Sequence, residues 1–367
     1  MATTATTRSE RLAEVLREEG FDVFLGWAPP TLGYLSGFFE GAGERFMTLA
    51  VRSTGESRLI CPRLSVSQAR RAGIAEIDSW GDGEDALELF RRLSANWGLR
   101  SAVFAVDDDM PSRMLLQMQS VLPAALFKAG SFALAELTRC KDEGELESMT
   151  RAAQIADSAI QAGIGAVRPG ASEREVARAL AEAMANLGGN PTFCIVAAGA
   201  NAAEPHHLSD DTIIASGDVV VMDFGCEVGG YQSDITRTVC CGSAGDEVRE
   251  VYETVYRSQA KAREAIRAGV PAQDVDRAAR AVIEEAGYGS YFTHRTGHGI
   301  GLRVHEEPNI VEGNDRPLEV GNCFSVEPGI YLPGRFGVRI ENIVTVTQEG
   351  HRSLNEEPAP TILETGP

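Results

Sequence analysis

An internal repeat constrains the fold of this chain more than any other feature of its sequence. Residues 166–188 align without a gap on residues 265–287. The identical pairs include Arg168/Arg267, Gly170/Gly269, Val176/Val275, Arg178/Arg277 and Gly188/Gly287. Each copy has a loop, then an amphipathic helix, then strand-like sequence. We therefore predict a duplicated α/β unit in which two helix pairs pack on one sheet, related by a pseudo-two-fold axis.

The residues before the repeats have a different pattern, because short helix and strand signals alternate there. A helical stretch at 11–20 ends in glycine, and strand-like DVFLGW and FMTLAV follow it. We place a domain boundary near residue 137, which gives an α/β domain of residues 1–137 and a second, α+β domain of residues 138–367. The second domain is expected to open with helices 142–165 and 173–187, the latter behind a Ser172–Glu175 capping box.

Composition excludes several classes of partner. The 367 residues have a formal net charge of −19, which repels nucleic acid and anionic membranes. The sequence lacks a signal peptide and an apolar run of membrane-spanning length, so a cytoplasmic protein is expected. Its seven cysteines have no paired CxxC spacing, and we interpret them as reduced core residues.

The first repeat is followed by a predicted hairpin that carries two acids. A turn centred between Val228 and Gly229 would place Asp223 directly opposite Asp234. Directly opposed side chains have Cβ atoms about 4.5–5.5 Å apart, so the two carboxylates repel unless a cation lies between them. The pattern therefore predicts a metal ion at this hairpin.

The second repeat is followed by a matching pair of glutamates. A turn centred on Gly334 would bring Glu327 opposite Glu341, with Pro328 loosening the pairing because it cannot donate a hydrogen bond. Five of the six histidines occur in two short segments of the same half of the chain: His206, His207, His294, His298 and His305. One imidazole among oxygen ligands favours Mn²⁺, Co²⁺ or Zn²⁺ over Ca²⁺, and Mn²⁺ is the metal we expect.

Five separated segments together resemble a known family. They are PHH at 205–207, DFGCEVGGYQSDITRT at 223–238, FTHRTGHGIGLRVHEEP at 292–308, EPGIY at 327–331 and GVRIEN at 337–342. They look like the M24 metallopeptidases of pita-bread fold, and among these they resemble bacterial prolidases (Xaa-Pro dipeptidases) and aminopeptidase P. YLSGF at 34–38 and RCKDEGELESM at 139–149 resemble the creatinase-like N-terminal domain and its junction. The resemblance implies hydrolysis of the peptide bond that precedes proline.

The resemblance also implies roles for the metal-binding residues. Asp223 would bind one divalent ion, His298 and Glu327 would bind the other, and Asp234 and Glu341 would bridge the two.

Further residues receive catalytic roles from the same resemblance. His206 would position substrate or donate to the tetrahedral centre, and His305 would hold the oxyanion or carbonyl oxygen. Glu327 would also carry a proton to the leaving proline nitrogen, and His294 would line the pocket. Arg339, two residues before Glu341, is expected to orient a ligand carboxylate.

The substrate's own carboxylate has no obvious partner in the sequence. Some prolidases have an arginine shortly after the HE-x-P motif, whereas Asn309 follows Pro308 here. Arg303 and Arg316 are the alternative candidates. The departure leaves open an aminopeptidase that acts on longer peptides. A metal-dependent non-peptide C–N hydrolase of the same fold and a non-catalytic binding module are further alternatives, although the intact ligand set argues against the last.

The N-terminal domain contains none of the metal-binding motifs. It resembles the domain that, in this family, reaches over a partner's active site. A homodimer is therefore expected, in which residues 1–137 limit the length of peptide that can enter.

Overall fold

The computed structural model describes residues 4–41 and 43–366. The chain divides into two compact units, Met1–Thr138 and Arg139–Pro367. In the described residues, no helix combines the length and the apolar character that crossing a bilayer would require.

The first unit is built on one mixed sheet of six strands in the order β4-β3-β2-β1-β5-β6. Its strands are β1 Val23–Gly26, β2 Thr48–Arg52, β3 Ser57–Pro62, β4 Ile77–Trp80, β5 Val103–Val106 and β6 Leu126–Ala129. Its helices are α1 Thr4–Glu18, α2 Pro29–Ser36, α3 Val66–Arg71, α4 Ala86–Trp97, α5 Ser112–Val121 and α6 Ser131–Thr138. Phe90 of α4 and Phe104 of β5 are fully buried in its core. The predicted α/β alternation is confirmed.

Four helices of the second unit form two pairs, and the second helix of each pair lies in the sequence repeat. They are α7 Glu143–Ala166, α8 Glu173–Asn186, α9 Asp246–Ala265 and α10 Ala272–Glu285. The alignment pairs the first and last residues of α8 with those of α10. Asp142 and Ser172 cap α7 and α8 through complete capping boxes, because each side chain accepts from the N3 backbone amide and a glutamate returns the bond. The predicted duplication is confirmed.

The strands of the second unit do not form the single sheet that the repeat suggested. They are β7 Asn190–Ala198, β8 Val219–Val228, β9 Tyr231–Gln232, β10 Ile235–Cys241, β11 Gly297–Gly299, β12 Glu306–Ile310, β13 Cys323–Val326, β14 Gly329–Leu332, β15 Phe336–Arg339, β16 Asn342–Val346, β17 His351–Ser353 and β18 Leu363–Thr365. One sheet has the order β18-β10-β8-β7 with β9 beside β8, a second has the order β12-β11-β13-β16-β17, and β14 pairs with β15 alone. Each repeat thus has its own sheet, and breaks between strands fall at Asp234, Glu327 and Glu341, whereas Asp223 lies within β8.

The first hairpin turns one residue later than predicted, which shifts the strand pairing by two residues. Gly229 and Gly230 form its two-residue turn, both with positive φ, and Val228 pairs with Tyr231. A turn with positive φ at both central positions favours two glycines, which a centre at Val228 does not provide. Asp223 consequently pairs with Thr236, and Asp234 lies diagonally from Asp223 on the same face of the pair.

The second hairpin has the predicted register. Leu332 pairs with Phe336 around Gly334, and Val326 pairs with Asn342 beyond the break. Glu327 and Glu341 lie between these two paired sections, where Pro328 interrupts the ladder. Their backbone amides donate elsewhere, to the carbonyl oxygens of Thr296 at 2.8 Å and Thr236 at 3.1 Å. Both glutamates are therefore held in place without a continuous ladder.

Candidate metal centre and substrate pocket

His298 occupies the middle of the short strand β11, and two glycines bring this strand close to its neighbours. A Cβ at Gly297 would lie 1.8 Å from the carbonyl oxygen of Ser325, and one at Gly299 would lie 2.3 Å from that of Glu307. The His298 amide donates to Ser325 Oγ at 3.0 Å. The sequence around His298 thus allows a close backbone approach, as its glycines predicted.

The imidazole of His298 turns one ring nitrogen, Nε2, towards the acids. Its Nδ1 lies 3.1 Å from the Gly299 carbonyl oxygen, which can only accept, so Nδ1 carries the proton. Nε2 lies 3.2 Å from Glu327 Oε1 and 3.7 Å from Asp234 Oδ2. A neutral imidazole oriented by a backbone carbonyl is the common form of a metal-binding histidine.

The four acids leave buried oxygen atoms without hydrogen-bond partners. Among the described residues, Asp223 Oδ1, Asp234 Oδ1 and Glu341 Oε1 have no hydrogen-bond partner. The ligand atoms of Asp234, His298 and Glu341 all lie within 4.8 Å of one another. Buried polar atoms are normally satisfied, so three orphaned carboxylate oxygens beside one imidazole nitrogen fit divalent cations.

Electrostatics point to the same conclusion. Burial raises the pKa of Asp234 well above its ordinary value, and repulsion from Glu341, Asp223 and Glu327 raises it further. Burial and repulsion from Glu327 and Asp223 do the same to the pKa of Glu341. A cation between these groups would remove the repulsion.

Arg339 donates hydrogen bonds to one of the acids and to a threonine beside another. Its Nη2 donates to Asp223 Oδ2 at 2.6 Å and its Nε donates to Thr236 Oγ1 at 3.0 Å. The Thr236 hydroxyl in turn donates to Glu341 Oε2 at 2.7 Å. Arg339 and Thr236 thus connect the acids of the two hairpins.

Tyr331 belongs to the site and was not singled out from the sequence. Its hydroxyl accepts from Arg339 Nη1 at 3.0 Å and lies 2.8 Å from His294 Nε2. His294 Nδ1 donates to the Arg295 carbonyl oxygen at 2.7 Å, so Nε2 accepts the Tyr331 proton. Strand alternation from Glu327 through Gly329 places Tyr331 on the same face, and this periodicity could have identified it.

The four acids, His298 and Arg339 line one cavity of about 400 Å³, near the lower end of ordinary ligand pockets. His206, His294 and His305 also line it, as do the apolar residues Phe193 and Ile195 of β7. The rings of His298 and His305 meet edge to face at 4.2 Å between centroids. Partial burial, and then the neighbouring His298 and Arg295, lower the pKa of His305 to about 4.

His207 points away from this cavity to a different partner. Its Nε2 lies 2.7 Å from Oε2 of the fully buried Glu173, which also accepts from the Ala198 and Asp210 amides and from Asn201 Nδ2. Glu173, His207 and Asp210 form a second group with the composition of a metal site. Because this glutamate is already satisfied by four hydrogen bonds, the group anchors the segment that carries His206.

The arginine candidates for the substrate carboxylate need correction. Arg303 and Arg316 are not among the residues that line the cavity, and Arg316 is exposed on a loop. Arg295 lines it instead. Its only sequence signal is its position three residues before His298.

Family models match almost the entire chain. Residues 147–348 match metallopeptidase family M24, and residues 8–137 match the creatinase/prolidase N-terminal domain.

Individual relatives match over nearly their full length. The probable dipeptidase PepE of Mycobacterium tuberculosis is 39% identical over 365 residues, which cover 98% of this chain and 94% of that protein. The Xaa-Pro dipeptidase of Lactobacillus delbrueckii subsp. lactis is 36% identical, with coverage of 94% and 95%. Among solved structures, the prolidase of Thermococcus sibiricus matches with a TM-score of 0.94 at 34% identity, covering 99% of this chain and 100% of that one.

The predicted fold class is thus confirmed: a creatinase-like N-terminal α/β domain is joined to a pita-bread domain with an internal repeat. The chain belongs to metallopeptidase family M24 and is a peptidase.

Proposed function

We propose that this chain hydrolyses the peptide bond that precedes proline, with Xaa-Pro dipeptides as its main substrates. Two divalent ions, Mn²⁺ in the first place, would be held by Asp223, Asp234, His298, Glu327 and Glu341. Relatives named Xaa-Pro dipeptidase and prolidase support the substrate class.

One observation carries the proposal: within the described residues, three buried carboxylate oxygens without hydrogen-bond partners line the same cavity as the His298 imidazole. When bound, two divalent ions make water acidic and polarise a carbonyl group. Of the chain's own groups, Glu327 would carry a proton to the leaving nitrogen, and contacts with Ser325 Oγ at 2.9 Å and His298 Nε2 at 3.2 Å hold its Oε1.

The remaining cavity residues suit a small substrate with an apolar ring. Phe193, Ile195, Pro205 and Val304 supply apolar surface for a pyrrolidine ring. His206 and His305, both exposed at the cavity, are available to contact the scissile group. In this proposal the metal ions bind at the cavity floor, the apolar residues contact the proline ring, and His206 and His305 donate to the scissile group.

A hydrolysis panel tests this function. The metal-loaded protein is assayed with Ala-Pro, Ala-Pro-Ala, Ala-Ala and a non-peptide cyclic amide, in Mn²⁺, Co²⁺ or Zn²⁺. We expect Ala-Pro to have the highest kcat/KM and Ala-Ala to be poor. Faster cleavage of Ala-Pro-Ala than of Ala-Pro would identify an aminopeptidase. Cleavage of the cyclic amide alone would contradict the proposed peptide substrates.

We predict that His206→Ala and His305→Ala keep their metal but lose about 10²–10³-fold in kcat, because donors to a developing charge act mainly in the transition state. Metal content and kcat are measured on the same preparations. Loss of metal from both variants would make these histidines ligands or structural residues.

We further propose that the protein is a homodimer that acts in the cytoplasm. Seven free cysteines are compatible with a reducing compartment. Light scattering of the metal-loaded chain measures the mass, and a monomer would contradict the first statement. Recovery in a periplasmic or secreted fraction would contradict the second.

A further inference from the structure

Arg295 differs from the other arginine that lines the cavity in the partners it holds. Arg339 is buried, and all of its nitrogens donate to site residues, among them the carboxylate of Asp223. Arg295 forms no ion pair within the described residues, and the side-chain acceptor it contacts is the neutral amide of Asn309. Its positive charge is therefore not cancelled by a protein carboxylate.

Asn309 holds this guanidinium in a defined orientation. Its Nδ2 donates to Glu307 Oε1 at 2.7 Å and its backbone amide donates to Glu307 Oε2 at 3.0 Å. Because Glu307 accepts both bonds, the Asn309 amide must turn its oxygen towards Arg295, where Nη1 donates to it. A carboxylate two residues away thus aligns the arginine without neutralising it by direct contact.

The backbone of Arg295 is fixed from the other side. His294 Nδ1 donates to the Arg295 carbonyl oxygen at 2.7 Å, and Arg280 Nη2 donates to the His294 carbonyl oxygen. Arg295 is consequently held at both its main chain and its guanidinium, unlike a solvated surface arginine. Ordering before binding reduces the entropy that a ligand contact must overcome.

A charged group of the opposite sign is missing from this arrangement. The cavity floor has four acids that suit cations, and Arg339 is already paired with Asp223, so the lining arginine without a carboxylate partner in the described residues is Arg295. A dipeptide brings one carboxylate within a residue of the scissile bond, whereas a longer peptide has a neutral amide there. A planar guanidinium is well suited to bind a carboxylate.

We infer that Arg295, aligned by Asn309, binds the C-terminal carboxylate of the substrate and thereby selects dipeptides over longer peptides. The inference rests on the proposed Xaa-Pro hydrolysis. Arg295 contacts substrate, and Asn309 acts through Arg295 as a positioning residue.

The test compares Ala-Pro with Ala-Pro-amide, which differ only in the carboxylate. In the metal-loaded full chain, Arg295→Met is expected to raise the KM for Ala-Pro about 10- to 100-fold, the range for losing a charged hydrogen bond. The KM of the same variant for Ala-Pro-amide should change less than about threefold. The KM of Arg295→Lys for Ala-Pro should lie between those of the wild type and Arg295→Met, because lysine keeps the positive charge but lacks the planar guanidinium.

Two further variants separate this role from a structural one. Asn309→Ala should raise the KM for Ala-Pro more than that for the amide, with kcat nearly unchanged. The same methionine substitution at the exposed Arg316 should leave the ratio of the two substrates unaltered. Thermal melts check that each variant folds, and Asn309→Ala keeps the inference testable if Arg295→Met does not.

The possible failures are distinguishable. If the wild-type enzyme cleaves neither substrate, the proposed function is wrong. If it cleaves both and Arg295→Met leaves their ratio unchanged, or lowers both rates equally, Arg295 does not bind the carboxylate. A change of ratio in Arg316→Met alone would transfer the role to Arg316.

Discussion

His298→Ala is expected to lose most of its bound metal and more than about 100-fold in kcat. This loss exceeds the usual loss of activity when a residue that only hydrogen-bonds to a metal ligand is removed. The reason is geometric. Nε2 of His298 lies within 4 Å of oxygen atoms of both Asp234 and Glu327, and no other histidine nitrogen belongs to this group of ligand atoms. Removing it leaves the acids without their nitrogen ligand. Metal analysis after dialysis and kcat with Ala-Pro are the measurements.

His351→Ala is the matched control. His351 is half-buried on β17 and does not line the cavity, so metal content and kcat should stay at the wild-type values. Thermal melts of both variants establish that each is folded. A folded His298→Ala protein with full metal content and normal kcat would contradict the ligand assignment.

Glu341→Gln should have opposite effects on function and on metal-free stability. It should abolish most activity, because one shared ligand is lost. In the metal-free protein, however, it should raise the Tm by several degrees. Burial and repulsion from Glu327 and Asp223 disfavour the Glu341 carboxylate, and glutamine removes that charge while still accepting from Thr236. For a domain of this size, about 1 kcal/mol changes the Tm by about 2–4 °C.

The sign of the pH dependence follows from the raised pKa. Above 4.5, the ordinary value, the unfolded chain gives up the Glu341 proton while the folded chain retains it. The folded state then binds more protons, so the free energy of unfolding of the metal-free wild type falls as the pH rises towards the raised pKa. Asp234 contributes in the same direction. The gain in Tm from Glu341→Gln should therefore be larger at pH 8 than at pH 5.

Glu349→Gln serves as the comparison, since Glu349 is exposed between β16 and β17. Glu349→Gln should leave the Tm of the metal-free protein, prepared with a chelator, unchanged at both pH values. If metal-free Glu341→Gln has a lower Tm than the metal-free wild type at pH 8, repulsion between the acids does not destabilise the metal-free fold.

Local signals in the sequence were sufficient for much of the fold. The repeat predicted α8 and α10 because both copies have the same helical periodicity between matching glycines. Ser172 and Glu175 fixed a helix start, since a capping box satisfies amides that no other local pattern can satisfy. These features depend on residues within a few positions of one another.

Errors arose where a choice depended on backbone conformation or on distant residues. The strand pattern around Asp223 tolerates a shift of two residues, because such a shift keeps every side chain on its own face. The positive φ of Gly229 and Gly230 determines the register. The division into two sheets follows from where the amides of Glu327 and Glu341 donate, which involves residues far away in the sequence.

The arginine next to His294 was missed for a related reason. An arginine in a glycine-rich segment resembles any solvated cation. What distinguishes Arg295 is the orientation of Asn309, and that depends on a carboxylate which the sequence shows only as part of an acidic stretch.

The hydrogen-bond series from Arg339 through Tyr331 and His294 to the Arg295 carbonyl has a fixed polarity. A guanidinium at one end can only donate and a carbonyl oxygen at the other can only accept, so every proton between them has one possible position. Reversing the series would require a carbonyl oxygen that donates. The series therefore cannot relay a proton to or from the substrate. Its role is structural, because it fixes the position of the Arg295 main chain relative to Asp223, which Arg339 binds.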